Sequence, residues 1–152
     1  LKDRNFMLIN KYKNYNLLIV YLQPTSPFRN HKHIDLALKI FFKNNLSTML
    51  SVTENKNFYK SFKKNKDKLN PFFTFKNSTK NRQSFKKIYS PNGAIYIFFE
   101  NDFKKKNELI FKNSGFFLMD KIESIDIDDN EDYKLAKLLS SKYLKYRLWF
   151  LK

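Results

Sequence analysis

A continuous run of apolar residues from Leu17 to Leu22 constrains the fold of this chain more than any other feature of its sequence. Six apolar residues without alternation are typical of a strand that is covered on both faces, as in a parallel sheet. Apolar side chains then recur at a spacing that places them on one helix face: Ile34, Ala37, Leu38, Phe41 and Phe42. A second short strand is predicted over residues 48–52. Strand, helix and strand within about 35 residues predict a βαβ unit with a right-handed crossover.

The middle of the chain, residues 55–88, has a different composition. Between residues 55 and 87 there are 11 basic side chains and a single acid, Asp67. We interpret this segment as an excursion from the sheet, formed by a hairpin that packs on a partner. The expected fold is therefore one α/β domain over residues 1–152 with an inserted arm at 55–88.

Regular structure is also predicted on both sides of this arm. The region before the first strand is compatible with a helix over residues 3–14, and further strands are predicted over 94–99 and 115–119. A last helix is predicted over 131–146, with Asp129 or Asn130 able to cap it. Its inward stripe is expected to comprise Leu135, Leu138, Leu139 and Tyr143.

The formal net charge is +16, from 30 Lys and Arg residues against 14 Asp and Glu. A basic patch suggests nucleic acid or another anionic partner. However, Lys outnumbers Arg by 26 to 4, whereas surfaces that bind phosphate usually rely on the bidentate contacts of Arg. Lys, Asn and Phe have A/T-rich codons, so coding bias explains the excess at least as well as a nucleic-acid partner does.

Residue types that are absent or rare exclude several classes of site. The chain has no Cys, which excludes a disulfide framework, a thiolate zinc site and a cysteine nucleophile. Its two glycines, Gly93 and Gly115, are too few for a Gly-rich phosphate loop. No apolar run approaches the roughly 20 residues that span a bilayer, and the start has no signal-peptide pattern. We expect a soluble, cytoplasmic protein without a membrane partner.

The first segment whose side chains are suited to binding a ligand is Gln23 to Arg29, which directly follows the first apolar strand. In open α/β sheets, ligands bind at the carboxyl ends of strands. Gln, Thr and Ser supply hydrogen-bond donors and acceptors that suit a polyhydroxylated ligand. The same residues also fit a Pro-rich turn that leads to a helix cap, and the residues alone favour that structural role.

The second segment contains Arg82 and then Tyr89 to Tyr96. Pro-Asn-Gly before an apolar strand indicates a turn. A turn does not account for Asn92 and Tyr96, which would share one face of an extended strand. Arg82 is able to form a bidentate pair with a carboxylate.

The third segment holds five of the 14 acids, all between residues 126 and 132. Asp126 and Asp128 point the same way if the segment is extended. Two neighbouring carboxylates suit Mg²⁺, which keeps several waters and shares its other positions with phosphate oxygens. The other three acids favour a helix N-terminus through its dipole. We therefore predict a magnesium site at Asp126 and Asp128 alone.

Together the three segments resemble the acylneuraminate cytidylyltransferases, the CMP-sialic acid synthetase family. The matching strings are Leu22-Gln-Pro-Thr-Ser-Pro-Phe-Arg29, Arg82-Gln83 with Tyr89-Ser-Pro-Asn-Gly-Ala-Ile-Tyr-Ile97, and Ser124-Ile-Asp-Ile-Asp128 with Glu131-Asp132. They stand in the order and at the approximate spacing of the family, from about Leu17 to Leu139. The resemblance implies a Rossmann-like nucleotidyltransferase sheet of the nucleotide-diphospho-sugar transferase type, with an inserted dimerisation arm.

The resemblance also implies an activity. The anomeric hydroxyl of a nonulosonic acid would attack the α-phosphate of CTP, and pyrophosphate would leave. Asp126 and Asp128 would hold the catalytic Mg²⁺, and Arg82 would face the sugar carboxylate or the phosphates. Substrate-binding positions carried over from the family are Gln23, Thr25, Ser26, Arg29, Lys60, Asn92 and Tyr96. The family is dimeric, and the arm would reach over the partner's site.

Some features depart from the family. Members begin with a nucleotide-binding half whose basic, Gly-containing loop binds CTP, and nothing in this chain matches that loop. We expect a fragment, truncated at the N-terminus, with an uncovered sheet edge and without competent CTP binding. Three alternatives stay open: a basic RNA- or ribosome-associated protein, a cytidylyltransferase for 3-deoxy-octulosonate, and a dimerising remnant without activity.

Overall fold

Helices and strands alternate along the chain. The computed structural model describes residues 16–149, without the side chains of residues 82 and 142–149. In chain order the elements are β1 (Leu18–Tyr21), α1 (His31–Lys43), β2 (Thr48–Glu54), β3 (Phe62–Asn65), β4 (Lys68–Pro71), α2 (Phe75–Thr79), β5 (Tyr89–Phe99), α3 (Glu100–Lys106), β6 (Ser114–Leu118) and α4 (Asn130–Trp149). The helix predicted over residues 3–14 lies outside the described residues. Within residues 16–149, no helix has the length and apolar character to cross a membrane.

Four of the strands form one mixed sheet in the order β1-β5-β2-β6. β5 pairs antiparallel with both β1 and β2, whereas β2 pairs in parallel with β6. The α/β class is therefore confirmed. β1 and β2 both run antiparallel to β5 and are therefore parallel to each other, as the predicted βαβ unit requires, but β5 lies between them and makes the sheet mixed. Local periodicity identifies strands but not the distant strand that each one pairs with.

The exposure of β1 also differs from the prediction. Every residue of β1 is half-buried, whereas the apolar run predicts a strand covered on both faces. In the described part of the sheet β1 is the outermost strand on its side, and β5 is its neighbour there. An outer strand leaves one side of its backbone without a ladder partner in the same sheet.

Helix α1 packs its predicted face on the sheet. Asn30 caps the helix, and its side chain accepts hydrogen bonds from the backbone N–H groups of Lys32 and His33 at 2.9 and 3.3 Å. Ala37 and Phe41 are fully buried among the core residues Met49, Ala94, Ile95, Ile97, Phe117 and Met119. Phe42 is 57% exposed and does not belong to this face. It follows Phe41 by one residue, which rotates its side chain by about 100° away from the core.

The predicted hairpin within residues 55–88 is confirmed. β3 and β4 form a separate antiparallel pair, from Phe62 opposite Pro71 to Asn65 opposite Lys68. Aromatic rings surround the base of this hairpin and contact one another at centroid distances of 4.6–6.3 Å: Phe58, Tyr59, Phe72, Phe73 and Phe85. We call residues 55–88 the arm.

The predicted last helix is confirmed, but its inward stripe is not as predicted. Leu135 and Leu138 are 46% and 60% exposed, whereas Ala136 is 5% exposed. The buried side of α4 therefore centres on Ala136, with Leu139 half-buried beside it. A small side chain at this position allows the helix backbone to approach its neighbours, which shifts the buried face by about 100° from Leu135.

Candidate functional site

Residues of the three predicted segments come together at one end of the strands, which we call the site edge of the sheet. β1 ends there, β5 begins there, and the segment after β6 crosses it. Gly93 lies at the centre, with a φ of +76°. A Cβ atom at Gly93 would lie 2.0 Å from Gln23 Oε1 and 3.2 Å from Asp126 Oδ2. The side chains of Gln23 and Asp126 therefore both approach the Gly93 backbone, which the absence of a Cβ permits.

Arg29 ties the Gln23 loop to β5. Its Nη1 donates hydrogen bonds to the backbone oxygens of Gln23 at 2.7 Å and Ala94 at 2.9 Å. Burial lowers the pKa of the Arg29 guanidinium from its ordinary value. The structure thus places this predicted substrate-binding residue against the backbone of two site segments. A direct contact with substrate stays a prediction.

Thr25 and Ser26 lie in the same loop. The backbone oxygen of Thr25 accepts a hydrogen bond at 2.9 Å from the N–H of Ile127, which joins this loop to the acidic segment. Ser26 is 4% exposed. Its Oγ is buried and has no hydrogen-bond partner among the described residues. Ser26 is therefore buried within this loop rather than presented on its surface.

Asn92 and Tyr96 are placed by an irregularity in β5 rather than by simple strand alternation. The register between β2 and β5 shifts between Leu50 and Val52, so regular alternation does not extend from Asn92 to Tyr96. Asn92 is 7% exposed, and its Nδ2 donates a hydrogen bond to Ser124 Oγ at 2.8 Å. Both residues nonetheless reach the acidic segment, Asn92 through Ser124 and Tyr96 through the charge of Asp126.

Tyr96 is half-buried beside Tyr21, with 5.9 Å between the ring centroids. Burial raises the pKa of the Tyr96 phenol above its ordinary value, and the negative charge of Asp126 and then the Tyr21 phenol raise it further. The Tyr96 hydroxyl is therefore protonated at neutral pH and remains a hydrogen-bond donor.

The acidic segment divides into two groups, as the sequence predicts. Asp129 Oδ1 accepts from the backbone N–H groups of Glu131 and Asp132 at 2.8 and 2.9 Å. Asp132 Oδ2 accepts in return from the backbone N–H of Asp129 at 3.3 Å. This reciprocal pair is a capping box at the start of α4. Asp132 Oδ2 also accepts from the backbone N–H of Asp128 at 3.1 Å, so Asp128 takes part in the cap through its backbone, whereas among the described residues no hydrogen bond of this cap uses the carboxylate of Asp126 or Asp128.

Asp126 has the features of a cation ligand. Its Oδ1 is buried and accepts no hydrogen bond from the described residues. A buried carboxylate oxygen without a partner is costly, and a cation would satisfy it. Asp128 is exposed two residues further along. No group of three or more His, Asp or Glu side chains among the described residues is suited to a metal ion, and a magnesium site at Asp126 and Asp128 therefore stays a prediction.

Lys60 and Arg82 both belong to the arm. Lys60 is half-buried and ends a 3₁₀ turn, Phe58–Lys60. Arg82 begins a second 3₁₀ turn, Arg82–Ser84, and its side chain lies outside the described part of the structure. The roles predicted for both cations therefore stay predictions.

Sequence reasoning missed a contact between α1 and Glu123, which lies three residues before Asp126. His33 is 8% exposed, and its Nε2 lies 3.1 Å from Glu123 Oε1. Its Nδ1 lies 3.3 Å from the backbone nitrogen of Asn30. His33 is thus held within the first turn of α1. Its spacing from His31 carries no information on this contact, because Glu123 is 90 residues away in the sequence.

A cleft of about 430 Å³ opens beside these residues, at the ends of β2 and β6. Charges of both signs line it, with Glu54 and Lys56 on one side and Asp120 and Lys121 on the other. It does not include Gln23, Gly93 or Asp126. Those three residues carry the close contacts and the buried carboxylate oxygen that has no hydrogen-bond partner in the described part of the chain, so they form the candidate site.

Comparison with known proteins gives several similar proteins. No family model matches the chain. It is 34% identical over 123 residues to the N-acylneuraminate cytidylyltransferase of Escherichia coli O18:K1:H7, with 80% of this chain and 29% of that protein aligned. It is 33% identical over 129 residues to post-translational flagellin modification protein B of Campylobacter coli, with 80% and 52% aligned. It is also 43% identical over 61 residues to the CMP-N,N'-diacetyllegionaminic acid synthase of Campylobacter jejuni, with 40% and 26% aligned.

The chain thus spans between about a quarter and about half of the length of the curated relatives that it matches. Two of these relatives are named for attaching CMP to a nonulosonic acid. These matches confirm the resemblance carried by the three motifs: over the aligned regions the chain is similar to an N-acylneuraminate cytidylyltransferase and to a CMP-N,N'-diacetyllegionaminic acid synthase.

Proposed function

We propose that the chain forms part of a cytidylyltransferase that transfers CMP from CTP to a nonulosonic acid of the sialic type. The anomeric oxygen of the sugar attacks the α-phosphorus of CTP, the bond from that phosphorus to pyrophosphate breaks, and the hydroxyl proton is released. The observation that supports this most is the meeting of Gln23, Gly93 and Asp126 at one sheet edge. The names of the relatives give the reaction its class.

In this proposal Asp126 and Asp128 hold Mg²⁺. When bound, the ion would neutralise the negative charge that develops on the phosphates. The buried Oδ1 of Asp126, which lacks a hydrogen-bond partner among the described residues, supports this assignment. Asp128 is exposed, which leaves its carboxylate accessible to a water-rich ion and to phosphate oxygens.

Polar side chains around Gly93 would bind the sugar. Gln23 offers an amide and Tyr96 a protonated phenol, and Thr25 lies in the adjoining loop. Hydroxyl groups of a sugar both donate and accept hydrogen bonds, so a mixed set of this kind suits them. Ser26 and Arg29 would shape the same pocket, Ser26 because it is buried in it and Arg29 because its Nη1 holds the backbones of Gln23 and Ala94.

The acidic substrates need cations as well. We assign Arg82 to the sugar carboxylate or the phosphates, since a guanidinium binds either in bidentate fashion. Lys60 would contribute a further positive charge from the arm. The net charge of +16 would attract both CTP and the acidic sugar. Because the reaction consumes CTP, the proposal places the protein in the cytoplasm.

We further propose a homodimer in which the arm covers the partner's site. The arm carries strongly exposed apolar side chains, with Phe62 at 45%, Leu69 at 65% and Phe75 at 71% exposure. Large exposed apolar side chains that lie close together mark interaction surfaces. The mixed four-stranded sheet and the separate hairpin are consistent with a Rossmann-like nucleotidyltransferase of the nucleotide-diphospho-sugar transferase type.

The test is pyrophosphate release from CTP in the presence of sialic, legionaminic or pseudaminic acid. Because the chain spans part of its relatives, it is assayed alone and fused to the N-terminal segment of the Escherichia coli relative. We expect the fusion to be active with Mg²⁺, and Asp126→Asn or Asp128→Asn to lower kcat/KM by at least about 100-fold.

Glu131→Gln is the matched control, because Glu131 is exposed, lies in the same acidic segment and loses the same charge. It should change kcat/KM by less than about twofold. A fusion that is inactive with all three sugars contradicts the proposed activity. A preference for 3-deoxy-octulosonate would move the substrate to another sugar acid, and salt-dependent RNA binding without turnover would support the RNA-associated alternative.

A further inference from the structure

β5 departs from its register with β2 opposite a single residue, Ser51. Leu50 pairs with Tyr96 on one side of the departure, and Val52 pairs with Pro91 on the other. One residue of β2 therefore faces residues 92, 93, 94 and 95 of β5. A bulge of this kind interrupts the ladder and leaves backbone groups without their regular partners. We call residues 92–95 the β5 bulge; it contains Gly93, to which Gln23 and Asp126 are close.

The hydroxyl of Ser51 supplies the hydrogen bonds that the bulge lacks. Ile95 N–H donates to Ser51 Oγ at 2.7 Å. Ser51 Oγ also lies 2.5 Å from Asn92 Oδ1 and 3.3 Å from the backbone oxygen of Ile95. A hydroxyl has one proton, and the shorter distance assigns it to Asn92 Oδ1. Ser51 is 1% exposed, so solvent does not replace these contacts.

These contacts determine which way the Asn92 carboxamide faces. Its Oδ1 accepts from Ser51 Oγ and, at 3.3 Å, from the backbone N–H of Ala94. Its Nδ2 is consequently directed to Ser124 Oγ, 2.8 Å away. A rotated amide would bring its NH₂ group against the N–H of Ala94 and its oxygen against Ser124. Ser124 precedes Asp126 by two residues, so the amide links the bulge to the acidic segment.

We propose that Ser51 is a positioning residue of the site. Its hydroxyl fixes the β5 bulge and the Asn92 carboxamide, and through Ser124 it places the segment that carries Asp126. Ser51 itself lies behind the bulge and touches neither the sugar nor the metal. The effect on metal binding rests on the proposed function, in which Asp126 binds Mg²⁺, whereas the effect on the Asn92 amide does not.

Ser51→Ala tests this, with Thr48→Val as the matched control. Thr48 lies on the same strand, is also 1% exposed and donates its hydroxyl to the backbone oxygen of Leu109 at 2.8 Å. Each change removes one buried hydroxyl, but Thr48 has no contact with the bulge in the described structure. The probes are hydrogen exchange of the Ile95 amide, the NMR resonances of the Asn92 side-chain NH₂ group, and Mn²⁺ affinity by electron paramagnetic resonance.

We expect Ser51→Ala to accelerate Ile95 exchange by at least about tenfold, to shift the Asn92 NH₂ resonances, and to raise the Kd for Mn²⁺ by at least about fivefold. Thr48→Val should alter none of the three. The proposal is overturned if Ser51→Ala leaves the Asn92 resonances unchanged, or if Thr48→Val changes Mn²⁺ affinity equally. If the wild-type chain binds no Mn²⁺, the metal assignment fails while the exchange and NMR results still decide the role of Ser51.

A second pair of variants tests the next contact along the same path. Ser124 is half-buried, so Ser124→Thr retains the hydroxyl with space for a methyl group, whereas Ser124→Ala removes it. We expect Ser124→Ala to shift the Asn92 NH₂ resonances and weaken Mn²⁺ binding, and Ser124→Thr to restore both. If Ser124→Ala and Ser124→Thr have the same Asn92 NH₂ resonances and the same Mn²⁺ affinity, the proposed chain of contacts from Ser51 through Asn92 to Ser124 is contradicted. This comparison tests the proposal even if Ser51→Ala does not fold.

Discussion

At position 93 the backbone conformation and the close approach of two side chains both require a residue without a Cβ atom, which is glycine. The φ of +76° is one that side chains with a Cβ rarely adopt, and Gln23 Oε1 occupies the place of a Cβ atom. Turn chemistry alone explains a glycine after Pro91 and Asn92. The contacts with Gln23 and Asp126 add a second structural reason, since any Cβ would separate the two polar groups from the strand.

Gly93→Ala should destabilise the protein by more than about 1 kcal/mol, because Ala is strained at positive φ and its methyl group collides with Gln23. Urea unfolding measures this change. In a Gln23→Ala background the collision disappears, and the cost of Gly93→Ala should fall by at least about 0.5 kcal/mol. An equal cost in both backgrounds would contradict the contact between Gln23 and the Gly93 backbone.

Among the elements, α4 begins where side chains cap it. Asp129 satisfies the backbone N–H groups of Glu131 and Asp132, and Asp132 satisfies that of Asp129. The helix N-terminus would otherwise leave these donors without partners. The cap also sets where the extended stretch before it ends, and hence how far Asp128 lies from the helix.

Asp129→Ala should destabilise the protein by about 1 kcal/mol through loss of this cap. Glu131→Ala is the control, since it removes a negative charge from the same helix turn without removing a cap; we expect a change within about 0.5 kcal/mol. Thermal unfolding followed by circular dichroism compares the two. Equal losses would mean that the helix dipole, rather than the capping box, accounts for the acids at this position.

A second effect at the scale of elements is the contact between α1 and Glu123, which precedes the acidic segment. His33 and Glu123 are 11% and 19% exposed in their side chains, so solvent screens this pair less than a surface pair. We expect His33→Gln and Glu123→Gln to be non-additive, with a coupling energy of about 0.5–1 kcal/mol in a double-mutant cycle of urea unfolding. Additive losses would show that the two side chains stabilise the fold independently.

At the scale of the whole molecule, the arm is the region whose surface is least explained by the chain's own fold. The arm contains a separate two-stranded sheet, the hairpin. Leu69 and Phe75 are among the most exposed apolar residues of the arm. The positive charge of the molecule is concentrated there too, with 11 basic residues between positions 55 and 87. Apolar anchors surrounded by Lys side chains suit a protein interface with a polar rim.

The double variant Leu69→Ser/Phe75→Ser should weaken the proposed dimer by at least about tenfold in Kd, because it removes two exposed apolar anchors. Leu135→Ser/Leu138→Ser is the control, since this pair on α4 is comparably exposed but lies outside the arm. Sedimentation equilibrium measures both. A chain that is monomeric at every concentration, or equal weakening by the two double variants, contradicts an arm-mediated dimer.

Sequence patterns predicted the elements of this fold better than their arrangement. Strands β1, β2, β5 and β6 and helices α1 and α4 follow from local periodicity, which a chain segment carries by itself. The position of β5 between β1 and β2 does not, because strand pairing joins residues far apart in sequence. The inward faces of α1 and α4 were predicted with errors at Phe42 and Leu135, since the packing neighbours select which part of an apolar stripe is buried.

The sequence by itself determined which residues make up the candidate site: three motifs, a pair of carboxylates ahead of a helix, and similarity to cytidylyltransferases. Only the tertiary structure decided how these motifs meet. It placed Gln23 and Asp126 at Gly93, and it brought in Ser51, His33 and Ser124, whose residue types indicate nothing in isolation. The physical reason is that a motif is local, whereas burial and hydrogen bonding depend on partners that folding brings together.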